Sequence, residues 1–102
     1  MVMSIYVYEV RMQVEDPVYE EFLLWLKPHM EEMLGLGCFT SIELQEELEG
    51  ILEGHSMRAF YSYEKPEDFQ DYLKNHAEKM RGQLSDDIRS RVAFSRSNYK
   101  RL

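Results

Sequence analysis

The 102-residue sequence contains one cysteine, Cys38, and no long apolar run. A single cysteine cannot form an intrachain disulfide and is typical of a reducing compartment, so we expect a cytoplasmic protein. No apolar stretch approaches the roughly 20 residues that span a bilayer, and Glu9 interrupts the apolar N-terminal stretch. We therefore expect neither a membrane partner nor an export signal. The length suits a single domain, residues 1–102, with one hydrophobic core.

Basic residues are scarce in the first half of the chain. Lys and Arg total 12 against 19 Asp and Glu, so the net charge is -7, which argues against nucleic acid as a partner. Residues 1–50 carry a net charge of -9, whereas residues 51–102 carry +2. Residues 79–102 form a basic tail, with seven basic residues and two acidic ones. The tail can attract an anion or the acidic half of a partner subunit, and we favour the partner subunit.

Hydrophobic periodicity predicts the element order β-α-β-β-α-β. Four stretches alternate with the period of two that strands require, and two stretches carry apolar stripes at helical steps of three and four. The sequence E-G-I-L-E-G at 49–54 indicates the turn of a hairpin, because it has a glycine at each end. The predicted strands are 3–14, 39–48, 55–63 and 92–99, and the predicted helices are 16–34 and 65–80.

An internal repeat relates the two predicted helices. Residues 20–33 and 67–80 are identical at seven of fourteen positions, and the repeat pairs His29 with His76. Gene duplication and convergence of two amphipathic helices both explain it, and both imply two βαβ units. The units predict an α+β, ferredoxin-like βαββαβ fold with one antiparallel four-stranded sheet, central first and third strands, and two helices on one face.

The sheet face opposite the helices mixes apolar and charged residues. Alternation places Glu9 and Arg11 of the first strand and Arg58 of the third strand on this face, within cross-strand reach. If a second copy packs there, these charges must pair, because an unpaired buried charge costs several kcal/mol. We therefore expect a homodimer with a polar-lined interface on the sheet face.

Three segments resemble a known family: YVYEVRMQV at 6–14, WLKPHMEEMLGLGCFTS at 25–41 and YLKNHAEKMR at 72–81. They are similar to a bacterial family with a domain of unknown function in the dimeric α/β-barrel superfamily. The most specific part is W-x-x-x-H, carried by Trp25 and His29, followed by a glycine turn and C-F-T-S at 38–41. The resemblance implies a cytoplasmic homodimer of ferredoxin-like subunits packed sheet against sheet. It implies no activity, since none is established for the family.

His29 and His76 are the most distinctive polar residues, because each lies in the apolar stripe of its helix. We expect both imidazoles to face one pocket between the helices and the sheet, as a general base and its partner or as neutral metal ligands. The alternative is that each donates to a backbone carbonyl or a tyrosine. Two histidines without a third ligand do not make a metal site, so we predict neither metal nor cofactor. We interpret Cys38 as a packed side chain rather than a nucleophile.

The leading hypothesis is a homodimer that binds a small organic molecule in the helix–sheet cleft or in the dimer interior. The alternative is a non-enzymatic regulatory or protein-interaction module with structural histidines. No motif indicates a reaction, so enzymatic activity stays open. A cavity that reaches an imidazole would favour the first hypothesis, and one filled by Tyr and Met side chains the second. The candidate ligand contacts are His29, His76, Arg11 and Arg58, with Trp25 as an apolar wall.

Overall fold

The computed structural model describes residues 5–102 and has the predicted βαββαβ order. The first predicted strand begins at Met3, but residues 3 and 4 lie outside the described residues. A 3-10 turn at Asp16–Val18 leads into the first helix. The elements are β1 (Tyr6–Val14), α1 (Tyr19–Gly35), β2 (Ser41–Glu47), β3 (His55–Tyr63), α2 (Pro66–Asn75), α3 (Ala77–Arg81), α4 (Asp86–Arg89) and β4 (Val92–Lys100).

The four strands form one antiparallel sheet with the order β2-β3-β1-β4. The central positions of β1 and β3 confirm the prediction from the doubled βαβ pattern. In the register between these two strands, Glu9 lies opposite Phe60, and Arg11 lies directly opposite Arg58. Two like charges thus face each other across the central strand pair, an arrangement that is unfavourable unless a carboxylate lies between them.

The core lies between the helices and one face of the sheet. Strand alternation sends Tyr8, Met12 and Val14 of β1 to this face, where each is at most 2% exposed. The apolar stripe of α1 packs against them, as its spacing predicts. Its fully buried members are Phe22, Leu26, Met30 and Met33.

The hairpin between β2 and β3 closes at a glycine that the backbone requires. Gly54 has φ +68°, a conformation that L side chains rarely adopt. A Cβ at this position would also collide with the carbonyl oxygen of Val14. The turn predicted for residues 49–54 is therefore specified by both conformation and space.

The second predicted helix is broken at one residue. We predicted a continuous helix through Met80, but α2 ends at Asn75, and His76 has φ -131° and ψ -31° before α3 begins. Asn and His are weaker helix formers than the Leu73-Lys74 pair that precedes them. The break lies at His76 itself, one of the predicted ligand contacts. Within residues 5–102, no helix has the length and apolarity that a bilayer span needs.

Candidate functional site

A cavity of about 650 Å³ lies between the helices and the covered face of the sheet. Its lining residues come from α1, from the segment α2–α4 and from strands β1, β3 and β4. The volume falls within the range of roughly 300–1,000 Å³ that is usual for small-molecule sites. The cavity therefore has room for an organic ligand beside a well-packed core.

Aromatic side chains line this cavity, and its tyrosines, Tyr8, Tyr61 and Tyr72, are each only 2% exposed and form its packed floor. Trp25 stacks on His29, one helical turn later, with ring centroids 4.3 Å apart. Tyr8 of β1 contacts both Tyr61 and Tyr72, with centroid distances of 5.8 Å. Burial raises the pKa of Tyr72 to about 12 and also raises that of Tyr61. Both phenols consequently stay uncharged at neutral pH, and the walls are apolar with a few hydroxyl groups.

Two neighbours determine the tautomer of His29. Gln83 donates from Nε2 to the Glu32 carboxylate at 3.2 Å, so its carbonyl Oε1 must face His29 Nδ1, also at 3.2 Å. Nδ1 therefore carries the proton, and Nε2 keeps its lone pair. Burial lowers the pKa of His29, against the opposing effects of the Gln83 hydrogen bond and the Glu32 charge. His29 is thus neutral at neutral pH, with Nε2 able to accept a hydrogen bond or a proton.

The mouth of the cavity is basic. Three exposed arginines line it, Arg81, Arg89 and Arg96, whereas Glu78 is the one acidic residue of the lining among residues 5–102. Arg89 is occupied by the backbone, since its Nη2 donates to the carbonyls of Arg81 at 2.6 Å and Leu84 at 3.0 Å. Its contribution is to hold the segment between α3 and α4 in place.

Arg81 and Arg96 differ from Arg89 in the groups that their guanidinium groups contact. Within residues 5–102, neither forms an ion pair. Arg81 donates from Nη2 to the Tyr8 hydroxyl at 3.2 Å, and Arg96 lies over the Phe94 ring, 5.4 Å from its centroid. A guanidinium group has five N–H donors, so each arginine retains donors that an anion at the mouth can use.

The predicted ligand contacts on the helices separate into two places. Trp25 and His29 line the cavity, as expected. We expected both imidazoles to face one pocket, but His76 does not line this cavity. Because the helix breaks at His76, Ala77 takes the position in the lining, and His76 Nε2 lies 3.9 Å from the carboxylate of Asp71.

The predicted contacts on the strands lie on the other face of the sheet. The Oε1 atom of Glu9 is 3.4 Å from Arg11 Nε and 3.6 Å from Arg58 Nη1. Glu9 is only 2% exposed, although the chain is described without a partner. The expected cross-strand grouping is therefore present. Both arginines neutralise one buried carboxylate, and neither reaches the cavity between the helices and the sheet.

A second polar cluster, which the sequence reasoning missed, lies at the start of β3. His55 has Nδ1 2.9 Å from Glu46 and Nε2 3.1 Å from Asp16, and its ring stacks on Tyr19 with centroids 3.6 Å apart. Tyr19 also donates to Glu46 at 2.6 Å. The hydrogen bond from His55, followed by that from Tyr19, lowers the pKa of Glu46. This cluster joins α1, β2 and β3, and its donors and acceptors are mutually satisfied.

The arginines at the mouth of the cavity were also missed as ligand contacts. Arg81, Arg89 and Arg96 all belong to the basic tail at 79–102. Our prediction for the positive charge of that segment is that it attracts the acidic half of a partner subunit. The structure brings three of its seven basic residues to one cavity, which the sequence could not show because the positions have no common period.

Comparison with known structures supports the fold. The chain is similar to a crystal structure described as a dimeric ferredoxin-like protein from an uncultured marine organism, with a TM-score of 0.76 and 10% identity. The similarity covers 96% of this chain and 95% of that one. No curated protein matches. The architecture is thus ferredoxin-like, with one antiparallel four-stranded sheet. Residues 5–101 match the model of DUF4286, a domain of unknown function, and the chain belongs to that family.

Proposed function

We propose that the protein binds a small organic anion in the cavity between the helices and the sheet, with an apolar body inside and a carboxylate at the mouth. The observation that carries this proposal is the combination of an aromatic cavity of about 650 Å³ with two arginines, Arg81 and Arg96, that form no ion pair within residues 5–102. Guanidinium groups bind carboxylates by paired, charge-assisted hydrogen bonds.

The interior contacts favour an aromatic or branched apolar body. Trp25 and Phe94 line the cavity and are partly exposed, so they offer ring faces, and apolar area removed from water contributes about 25 cal/mol per Å². The neutral His29 offers Nε2 to a hydroxyl or N–H group on the ligand. A hydrogen bond there would orient the ligand relative to the arginines at the mouth.

We further propose that the protein is a cytoplasmic homodimer that self-associates through the open sheet face. The structural neighbour is described as dimeric, and it covers nearly the whole chain. The open face presents Phe60 and Tyr99 beside the arginines that neutralise Glu9. A partner on this face would cover these apolar rings, and the buried Glu9 carboxylate there already has two arginines to pair with.

The second candidate function is regulatory: the bound anion acts as a signal that the protein senses, and no reaction takes place. It is favoured by the contacts of His29, whose ring stacks on Trp25 and whose Nδ1 is hydrogen-bonded to Gln83. A histidine held in this way can serve as a fixed acceptor for a ligand. The same cavity and the same class of ligand apply to both candidates.

A thermal-shift comparison of acids with their amides tests the binding proposal. The probes are benzoate, phenylacetate and 2-naphthoate, each paired with its neutral amide, and the variants are Arg81→Gln and Arg96→Gln. Arg91→Gln is the matched control, because Arg91 is also exposed but pairs with Glu15 away from the cavity.

We expect at least one acid, and none of the amides, to raise Tm of the wild type and of the control. Ligand that binds only the folded state stabilises it by mass action. Each cavity variant should need about tenfold more acid for the same shift, because a hydrogen bond to a charged group contributes about 1.5 kcal/mol or more. Equal shifts by acid and amide, or full retention of the shift in both cavity variants, would contradict the proposal.

A further inference from the structure

Three side chains of different chemistry meet outside the cavity. Cys38 lies in the loop after α1, Asp71 on α2 and His76 at the break between α2 and α3. Their ligand atoms all lie within 4.8 Å of one another. Cys38 Sγ is 3.2 Å from Asp71 Oδ2, and His76 Nε2 is 3.9 Å from the same oxygen. None of the three residues lines the cavity.

These distances are close to those of a tetrahedral metal centre. Bond lengths of about 2.0 Å to nitrogen or oxygen and about 2.3 Å to sulfur place neighbouring ligand atoms about 3.3–3.6 Å apart. Two of the three distances, 3.2 and 3.9 Å, bracket that range, and the third, between Cys38 Sγ and His76 Nε2, is within 4.8 Å. Closing the three atoms around one ion therefore requires displacements of about an ångström or less, which side-chain rotation can supply.

The surroundings orient the ligands. Asn75 donates to Oδ1 of Asp71, which leaves Oδ2 directed at Cys38 and His76. Such contacts from neighbouring residues are what hold metal ligands in position. Cys38 is buried, at 4% exposure, whereas the Asp71 side chain is half-exposed, so an ion can reach the cluster from solvent through the carboxylate side.

The cluster is unsuited to nucleophilic catalysis. Burial, followed by the hydrogen bond to Asp71 and the charges of Asp71 and Asp68, raises the pKa of Cys38 to about 11. A nucleophilic cysteine needs the opposite shift and a base directed at its sulfur. Here His76 Nε2 and Cys38 Sγ both approach Asp71 Oδ2. The carboxylate accepts from the thiol, and a divalent cation can bind the same three atoms in place of the thiol proton.

We propose that Cys38, Asp71 and His76 bind a divalent transition metal, of which Zn²⁺ is the best match, and thereby fasten the loop after α1 to the break between α2 and α3. A thiolate, an imidazole and a carboxylate are all zinc ligands, and three protein ligands leave a fourth position for water. On binding, the thiol releases its proton to solvent as the Zn–S bond forms. The site is independent of the organic ligand proposed for the cavity.

Metal titration of the full chain, under a non-chelating reductant, tests this site. Calorimetry with Zn²⁺ alone should give one ion per chain. We expect affinity to fall at least tenfold in Cys38→Ser and in His76→Gln, and about tenfold in Asn75→Ala, which loses only the orienting contact. His29→Gln is the matched control and should bind as the wild type does, because His29 lies in the cavity.

Cobalt substitution provides the second readout. Co²⁺ bound by the wild type should show a thiolate-to-metal charge-transfer band that is lost in Cys38→Ser. The proposal is overturned if the wild type binds no stoichiometric Zn²⁺, if bound Co²⁺ gives no thiolate band, or if His76→Gln retains wild-type affinity. Should Cys38→Ser fail to fold, the wild-type cobalt spectrum and His76→Gln decide the question.

Discussion

Tyr8 accepts a hydrogen bond from Arg81 at 3.2 Å, and this contact connects the exposed mouth of the cavity to the central strand of the sheet. Tyr8 is 2% exposed, whereas Arg81 is exposed at the end of α3. The next residue of β1 is Glu9, which faces the open side of the sheet between Arg11 and Arg58. One strand therefore contacts both the proposed ligand site and the proposed dimer face.

A double-mutant cycle measures this contact. Tyr8→Phe and Arg81→Gln should each lower the free energy of unfolding, and the double variant should lower it by less than the sum. We expect a coupling energy of about 1 kcal/mol, below the roughly 1.5 kcal/mol or more of a hydrogen bond to a charged group, because solvent screens the exposed Arg81. Urea denaturation of the four proteins gives the value. Additive effects within error would show that the two side chains do not interact in solution.

His29 should make stability depend on pH near neutrality. Its pKa is lowered by burial, so between that lowered value and about 6.5 the unfolded chain binds more protons than the folded one. Stability should therefore rise with pH through this window and level off above about pH 6.5. Urea denaturation at intervals from pH 5 to 8 follows this rise in the wild type.

His29→Gln removes the titrating group and keeps an amide of similar length. We expect the rise through this window to be smaller in His29→Gln than in the wild type. The histidine signals of the wild type, followed by NMR, should include one that titrates below the ordinary range. An identical pH profile in wild type and variant would refute the burial of a neutral imidazole.

Glu46→Gln should destabilise the protein by about 1 kcal/mol at pH 7, because the carboxylate accepts hydrogen bonds from both His55 and Tyr19. The neighbouring Glu47→Gln is the control, since Glu47 accepts one exposed bond from Ser56, at 3.4 Å. The pKa of Glu46 is lowered in the folded state, so its contribution exists above the unfolded value of about 4.5 and declines as pH falls through the folded value.

The difference in urea midpoint between wild type and Glu46→Gln should accordingly shrink below about pH 4.5. A difference that is absent at pH 7, or that is equally large for Glu47→Gln, would mean that the Tyr19–His55–Glu46 arrangement does not persist in solution.

Self-association can be checked by multi-angle light scattering. We expect a species of about twice the 12.3 kDa chain mass at micromolar concentration. Phe60→Glu places a charge on the open face and should shift the protein toward monomer. Leu24→Glu is the matched control, because Leu24 is 77% exposed on α1, away from that face. A 12.3 kDa species at every micromolar concentration would exclude the dimer.

Most of the fold follows from periodicity in the sequence. The bounds of β3 match the predicted 55–63, because alternation, a glycine turn before and a proline after all mark the same segment. The central position of β1 follows from the doubled βαβ pattern. The break at His76 could not be predicted, since the apolar stripe continues through it and only weak local preferences oppose the helix.

The candidate site was predictable only where it lies on a periodic element. Trp25 and His29 share the inward stripe of α1, and both line the cavity. Arg81 ends the short helix α3 and Arg96 lies on the edge strand β4, and no period relates the two positions. Cys38 meets Asp71 and His76 only through the tertiary packing of a loop against α2. The internal repeat pairs His29 with His76, yet a local helix break gives them different surroundings.

The indole N–H signal of Trp25 in a two-dimensional NMR titration tests ligand binding in the cavity most directly, because the chain has one tryptophan and it lines the cavity. With 2-naphthoate, phenylacetate or benzoate, we expect this signal to shift in a saturable way, to need about tenfold more acid in Arg81→Gln, and to remain unmoved by the amides. A Trp25 signal that no acid moves, or that acid and amide move alike, would contradict the account of the cavity as an organic-anion site.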